Sequence, residues 1–300
     1  MSAETRAREV ATYGLLVLGC CFLASRLAVI LHEVLGHMAA AALLGAELEL
    51  IEVRPVGGGV SIYSYPPGTS PVVVLTSTAA GLAANLATGL GALLLLRPLR
   101  RRALAALFLS IFAGCSVVGA LSYLALGLYY GVGDPGQIRA ALVGGAGAPW
   151  DTLWPWVLPA ALLPFGSYAV SRVYAAEQER WLPAPRPITR LLWGGLTLGL
   201  SVAAVFGAPR LLNERLTVSY DGAHLAAERA AATGREVQAP IPLLPVVALL
   251  AGLGAVIALW RRPAPGVGSR RDVQLAEAGA VLLAALLLAS LLALAPVWRC

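Results

Sequence analysis

The sequence predicts an all-α polytopic membrane protein of about seven transmembrane helices, with a small membrane-associated β-hairpin after the first helix. Of its 300 residues, 58% are hydrophobic and only 13% are charged, and the mean hydropathy is +0.76. A soluble globular domain carries about 25% charged residues. Several apolar stretches also reach the roughly 20 residues that a helix needs to cross a bilayer.

The candidate spans alternate with arginine-rich loops. They cover residues 11–44, 71–96, 103–130, 153–176, 191–207, 243–260 and 275–297. All 22 basic residues are arginines, and a cytoplasmic N-terminus places most of them in cytoplasmic loops, as the positive-inside rule requires. This usage of arginine in an Ala-, Gly- and Leu-rich chain favours a bacterial source. We therefore expect an integral protein of the bacterial cytoplasmic membrane.

The net charge of +6 is explained by this orientation in the lipid bilayer. A nucleic-acid-binding protein typically shows a basic face or stripe, often interleaved with aromatic residues that stack on bases. The sequence contains no such stripe, so we expect no nucleic acid partner.

Three ionisable residues lie close together within the first predicted span. His32, Glu33 and His37 fall within six residues, and two of the chain's 3 histidines are among them. Ionisable side chains in a membrane helix are costly and usually functional. Histidine nitrogens bind zinc, and a neighbouring glutamate can act as a general base, as in the His-Glu-x-x-His signature.

The spacing of the two histidines exceeds that signature by one residue. On a regular α-helix, at about 100° per residue, His32 and His37 point about 140° apart and do not face one metal. A π-bulge adds one residue to a turn and would bring the two rings together, with Gly36 as the place where the helix yields. The alternative is a group of buried polar side chains that hydrogen-bond to one another.

Two later polar residues extend the candidate site. Asn85, in the second span, can donate a hydrogen bond to a developing oxyanion, or it can join two helices as an interhelical partner. Asp134 follows the third span in a Gly/Pro turn, on the same side of the membrane as His37. Two histidines and a carboxylate are a usual ligand set of catalytic zinc. An aspartate in a turn, however, more often caps local backbone.

Between the first two spans, part of residues 47–54 alternates polar and apolar side chains, the glycines at 57–59 form a turn, and residues 60–65 are of types that favour β-strands. This pattern predicts a β-hairpin beside the membrane. Its exposed edge can accept an extended substrate segment by strand addition, or the hairpin can simply connect two helices.

Together these residues resemble the site-2-protease-like intramembrane zinc metalloproteases, especially their minimal bacterial members. The resemblance covers residues 25–140 and rests on polar and glycine positions of the first three spans, namely His32, Glu33, Gly36, His37, Gly81, Asn85 and Asp134. It implies a zinc metalloendopeptidase whose substrate is a membrane-anchored protein or peptide. By this resemblance His32, His37 and Asp134 bind one zinc ion, Glu33 is the general base and Asn85 assists near the scissile carbonyl. The chain departs from the family in its extra motif residue and in the order of residues around Asp134.

We therefore expect a metalloprotease-like core in residues 1–140 and additional helices in residues 141–300, with an extramembrane insertion at residues 209–240. Three functions are compatible with the sequence. They are an intramembrane peptidase, a catalytically inactive membrane binding or regulatory protein, and a different membrane metalloenzyme in which Glu33 itself binds the metal. Two histidines and a carboxylate also suit iron, so the ligand types alone do not select zinc.

Overall fold

The computed structural model describes residues 3–53, 58–130, 133–143 and 154–182, together with residues 188–189, 191–192, 257, 281, 283 and 297–299. This part of the chain is mostly helical, as the apolar composition predicts. Its elements are, in chain order, α1 (Ala3–Ile30), the π-helix π1 (Leu31–Met38), α2 (Ala39–Leu43), β1 (Glu47–Val53), β2 (Gly59–Ser64), α3 (Pro71–Leu99), α4 (Ala103–Ala113), the π-helix π2 (Gly114–Val118), α5 (Gly119–Tyr130), α6 (Gly133–Val143), α7 (Trp154–Trp181) and β3 (Val297–Arg299).

Three helical stretches are long and apolar enough to cross a membrane. They are Glu4–Leu43, Pro71–Leu99 and Ala103–Leu128, and they correspond to the first three predicted spans. Helix α7 occupies the fourth predicted position, but among the described residues it is not one of the stretches apolar enough to cross a membrane. The last three predicted spans and the insertion at residues 209–240 lie almost entirely outside the described residues. A total of seven spans and a domain boundary at residue 140 therefore stay predictions.

The predicted hairpin is confirmed. β1 and β2 pair in antiparallel fashion, with Glu47 opposite Ser64 at one end and Val53 opposite Gly59 at the other. The first span ends with π1 and α2, and β1 begins only a few residues after α2. The hairpin therefore lies close to π1. This position allows β2 to contact side chains of π1 directly.

The sequence did not predict the third strand. β3 pairs in antiparallel fashion with the opposite edge of β1, where Ile51 lies opposite Trp298. The strand order is therefore β2-β1-β3. The segment that forms β3 is far from the hairpin in sequence, and its three residues carry no alternation long enough to indicate a strand.

Close contact between π1 and α3 determines where the polar residues meet. A Cβ atom placed on Gly36 would lie 2.5 Å from the Cα atom of Gly81 and 2.8 Å from its nitrogen. No side chain fits at that distance, and glycine pairs of this kind allow membrane helices to approach closely. Helices α1, α4 and α7 pack beside this contact around fully buried residues such as Leu16, Leu107 and Leu163.

Candidate metal centre

The π-helix places both histidines of the first span on one face. π1 runs for eight residues and contains His32, Glu33 and His37, all of which are buried. In a π-helix the backbone hydrogen bonds join residues five apart, so side chains five apart lie above one another. The two imidazole rings are 4.7 Å apart between centroids and nearly perpendicular. The predicted bulge is therefore confirmed, and the extra residue of the motif is absorbed by the helix.

Three ligand-type atoms converge on one point. Nε2 of His32, Nε2 of His37 and Oδ2 of Asp134 are each 3.1 Å from the other two. In a tetrahedral zinc site with ligands at about 2.0–2.1 Å, neighbouring ligand atoms are about 3.3–3.4 Å apart. The three side chains can therefore hold a metal ion after a small expansion of the group. Glu33 does not belong to this group among the described residues.

The hydrogen bonding of His37 shows why this group favours a cation. Nδ1 of His37 is 2.9 Å from the backbone carbonyl oxygen of Ser77. A carbonyl oxygen only accepts, so Nδ1 carries the proton and Nε2 of the neutral ring presents a lone pair. That lone pair faces an oxygen of Asp134, which is also an acceptor when the carboxylate is ionised. Such atoms repel one another at 3.1 Å unless a cation or an additional proton lies between them.

Tyr123 and the two histidines hold Asp134 in place. The Tyr123 hydroxyl accepts a hydrogen bond from the backbone nitrogen of Asp134 at 3.0 Å and donates to Oδ2 at 3.4 Å. Burial by itself would raise the pKa of Asp134, but the adjacent His32 and His37 rings, which donate to the carboxylate when Nε2 is protonated, outweigh burial and hold that pKa well below its usual range. The side chain is therefore directed to the histidines as an ionised carboxylate instead of capping a turn.

Asn85 contacts the ring nitrogen of His32 that is turned away from the group of ligand atoms. Its side-chain amide is 3.2 Å from Nδ1 of His32, and the two residues belong to α3 and π1 respectively. The structure thus brings this predicted residue into direct contact with a candidate ligand. It is not an interhelical contact remote from the centre.

Glu33 is held by the hairpin. The Ser61 hydroxyl on β2 donates a hydrogen bond to Oε2 of Glu33 at 2.6 Å. A Cβ atom on Gly59 would lie 2.6 Å from Cγ and 2.8 Å from Oε1 of the same glutamate. The start of β2 therefore packs its glycine directly against Glu33. The carboxylate is next to the candidate ligands in sequence, yet it is bonded to the strand.

Gly81 leaves the space that the two rings occupy. A Cβ atom on Gly81 would collide with Nε2 of His37 and would lie 2.7 Å from both Nε2 and Cε1 of His32. Any larger residue at this position would displace the candidate ligands. The glycine of the Gly-x-x-x-Asn pair therefore contributes by having no side chain, whereas Asn85 contributes by its amide.

Sequence reasoning did not identify Ser61, Ser77 or Tyr123. Ser77 acts through its backbone carbonyl, which every residue type supplies, so no sequence signal marks it. Tyr123 is one of several aromatic residues near the end of the third span, and its spacing from Asp134 follows no known motif. Ser61 has a weak signal, because it alternates with apolar residues in the predicted second strand.

These observations define a mostly helical protein that has three segments able to span a membrane and a buried His-His-Asp group able to bind a metal. Comparisons of the chain with models of known protein families, with curated proteins and with solved structures found no match. The resemblance to site-2-protease-like enzymes rests on the motif residues and stays a prediction.

Proposed function

We propose that the protein is an intramembrane zinc metalloendopeptidase that cleaves a membrane-embedded or juxtamembrane segment of a protein substrate. The observation that supports this function best is the convergence of Nε2 of His32, Nε2 of His37 and Oδ2 of Asp134 at 3.1 Å from one another. Three protein ligands of these types leave one position of a tetrahedral ion open, which is the arrangement of catalytic zinc.

Glu33 is suited to the role of general base. When bound, zinc polarises the substrate carbonyl and lowers the pKa of a bound water molecule to about 7. Glu33 accepts the proton of the attacking water and delivers it to the leaving amine nitrogen. Its carboxylate adjoins His32 in sequence, lies outside the ligand group and is held by Ser61. This placement favours a base over a fourth ligand, and it therefore favours the peptidase over a metalloenzyme in which Glu33 binds the metal.

The hairpin supports a peptide substrate. A regular helix hides its carbonyl groups in its own hydrogen bonds, so the substrate segment must be unwound at the cleavage point. β1 has β2 on one side and β3 on the other, which leaves the outer edge of β2 open among the described residues. An extended segment that adds to β2 would pair with the strand that carries Ser61. Ser61 contacts Glu33, so the added segment would run beside the proposed base.

The π-helix weakens the argument that the extra motif residue makes the protein catalytically inactive. On an α-helix the extra motif residue would separate the histidines and abolish a shared site. In the π-helix they converge, so the departure from the usual spacing does not remove the metal group.

Metal content and peptide cleavage test the proposal together. The purified protein in detergent is compared with His37→Ala, Asp134→Ala and Glu33→Gln by elemental analysis. Each is then incubated with a fluorescently labelled peptide that has one apolar segment interrupted by a glycine pair. We expect about one zinc per chain in the wild type and in Glu33→Gln, less in the other two variants, and cleavage only by the wild type.

Four results would count against the proposal. Absence of stoichiometric metal, or a zinc content unchanged by His37→Ala, would refute the metal centre. Zinc that is bound as expected, with cleavage equal in the wild type and Glu33→Gln, would refute Glu33 as the base. Zinc binding without any cleavage would favour a binding or regulatory protein.

A further inference from the structure

Each candidate histidine ligand has one polar partner at the ring nitrogen that faces away from the metal group. Nδ1 of His37 contacts the carbonyl oxygen of Ser77 at 2.9 Å, and Nδ1 of His32 contacts the side-chain nitrogen of Asn85 at 3.2 Å. Both partners belong to α3, on residues eight apart in sequence. One helix therefore supplies the outer contact of both rings.

The proton on each ring decides whether Nε2 can bind a metal. A neutral imidazole carries one proton, and the nitrogen that binds the metal must be the one without it. The Ser77 carbonyl fixes the required form for His37, because it can only accept. For His32 the outcome depends on which end of the Asn85 amide faces Nδ1. The two ends are nearly identical in shape, so the hydrogen-bond network assigns them.

The two orientations of the amide have opposite consequences. With the NH₂ group facing His32, as the amide is placed, Nδ1 accepts and the proton of the neutral ring is on Nε2. That proton would occupy the point where Nε2 of His37 and Oδ2 of Asp134 converge. If the amide oxygen faces His32, Nδ1 donates and the Nε2 lone pair is free for the metal. Only the second orientation is compatible with three ligands.

We propose that Asn85 is a positioning residue for His32, whose Nδ1–H donates to the side-chain oxygen of Asn85 and thereby keeps the Nε2 lone pair directed at the metal. This inference rests on the metal centre of the proposed function. A polar partner of this kind behind a metal-binding histidine fixes both the ring orientation and the position of its proton.

The remaining end of the amide does not decide the orientation. As the amide is placed, the side-chain oxygen of Asn85 faces away from His32, is buried and has no hydrogen-bond partner among the described residues. Rotating the amide exchanges an unbonded oxygen for an unbonded NH₂ group. The contact with His32 therefore determines which orientation the amide adopts. The NH₂ group is then available as a donor, and the role near the scissile carbonyl that the resemblance implies uses a different atom of the same side chain.

Zinc affinity of three variants tests the proposal. Metal-free protein in detergent is titrated with Zn²⁺ against a chromophoric chelator, for the wild type, Asn85→Leu, Asn85→Asp and the control Thr88→Ala. Thr88 lies on the next turn of α3, and within the described ranges its hydroxyl bonds to the backbone carbonyls of Ala84 and Asn85. We expect Asn85→Leu to lower zinc affinity about 10- to 100-fold. Asn85→Asp keeps an acceptor oxygen and should bind at least as tightly as the wild type, and Thr88→Ala should be unchanged.

The two variants at position 85 make the test decisive. Wild-type affinity in Asn85→Leu would overturn the proposal, and so would an equal loss of affinity in Asn85→Leu and Asn85→Asp. Thermal unfolding of the metal-free forms shows whether Asn85→Leu is folded. If it is not, the comparison of Asn85→Asp with the wild type still decides, because a loss of affinity there contradicts an acceptor role.

The proton on His32 can also be located directly. With 3 histidines in the chain, selective ¹⁵N labelling gives a spectrum simple enough to assign from single His→Gln variants. In the metal-free wild type we expect neutral His32 to carry its proton on Nδ1, and a proton on Nε2 would refute the inference. This result does not depend on zinc binding. A wild type that binds no zinc would therefore refute the proposed function separately.

Discussion

Replacing Gly81 by alanine tests whether the α3 backbone sets the position of the histidine ligands. The added Cβ atom would collide with Nε2 of His37 and would lie 2.7 Å from Nε2 and Cε1 of His32. Ordinary contacts between such atoms begin at about 3.4–3.5 Å, so the His32 ring must move by roughly 0.7 Å. His37 must move by at least a similar distance, since its contact is closer.

Displacements of this size exceed what a metal site tolerates. Zinc–ligand distances are held to about ±0.2 Å, so both rings would leave bonding range unless α3 moves away as a whole. We expect zinc affinity to fall about 100-fold, which corresponds to about 2.8 kcal/mol. Because the obstructed neighbours are side chains, the fold should survive with a loss of about 1–3 kcal/mol in the free energy of unfolding.

The assay is a competition titration with Zn²⁺, and Gly91→Ala is the matched control. Gly91 lies on the same helix, and in the described part of the chain its added Cβ atom meets no neighbouring atom within 4 Å. The control should keep wild-type zinc affinity and should gain up to about 1 kcal/mol of stability from the higher helix propensity of alanine. Wild-type affinity in Gly81→Ala would refute the assignment of the converging nitrogens as ligands.

Three further predictions concern the candidate metal centre. Deleting Leu35, which is more than half exposed, leaves His32 and His37 four residues apart, so a regular α-helical turn should still bring them together and preserve zinc binding. Loss of zinc in the deletion variant but not in Leu35→Ala would contradict the role of the π-helix. Ser61→Ala removes the hydrogen bond to Glu33 and should lower kcat about 10- to 100-fold at unchanged zinc content, since such a bond to a charged group contributes about 1.5–3 kcal/mol. An unchanged kcat would count against Glu33 as the base. A chelator should lower the thermal unfolding midpoint of the wild type but not of His37→Ala, because zinc at 100 times its Kd stabilises by about 2.7 kcal/mol; a wild-type midpoint that chelation does not move would exclude a bound metal.

Local patterns were sufficient to predict the parts of the fold that depend on local physics. The first three spans follow from length and hydropathy, and the hairpin follows from alternation around a glycine turn. The convergence of His32 and His37 could also be predicted, because burying two histidines and a glutamate in an apolar helix costs too much free energy unless they have a function. The conflict between their spacing and a regular α-helix indicates a π-bulge from the sequence alone.

Long-range packing accounts for what the sequence did not show. The pairing of β3 with β1 joins segments about 250 residues apart and depends on three residues without a distinctive pattern. The carbonyl of Ser77 and the hydroxyl of Tyr123 become relevant only when helices meet at particular rotations. The Gly-x-x-x-Asn pair was visible, but the reason for the glycine, namely space for two rings, required the contact between π1 and α3.

The third strand also makes the small sheet asymmetric in how it can meet other chains. β3 covers β1 from Leu50 to Glu52, so among the described residues the outer side of β2 is the full-length edge left with unpaired backbone groups. Exposed edges of this kind also pair between copies of a protein. Here such a contact would use the same edge that lies beside Glu33. Under the proposed function, edge-to-edge self-association and entry of a substrate strand would therefore exclude one another, and crowding of the protein in the membrane would compete with substrate entry.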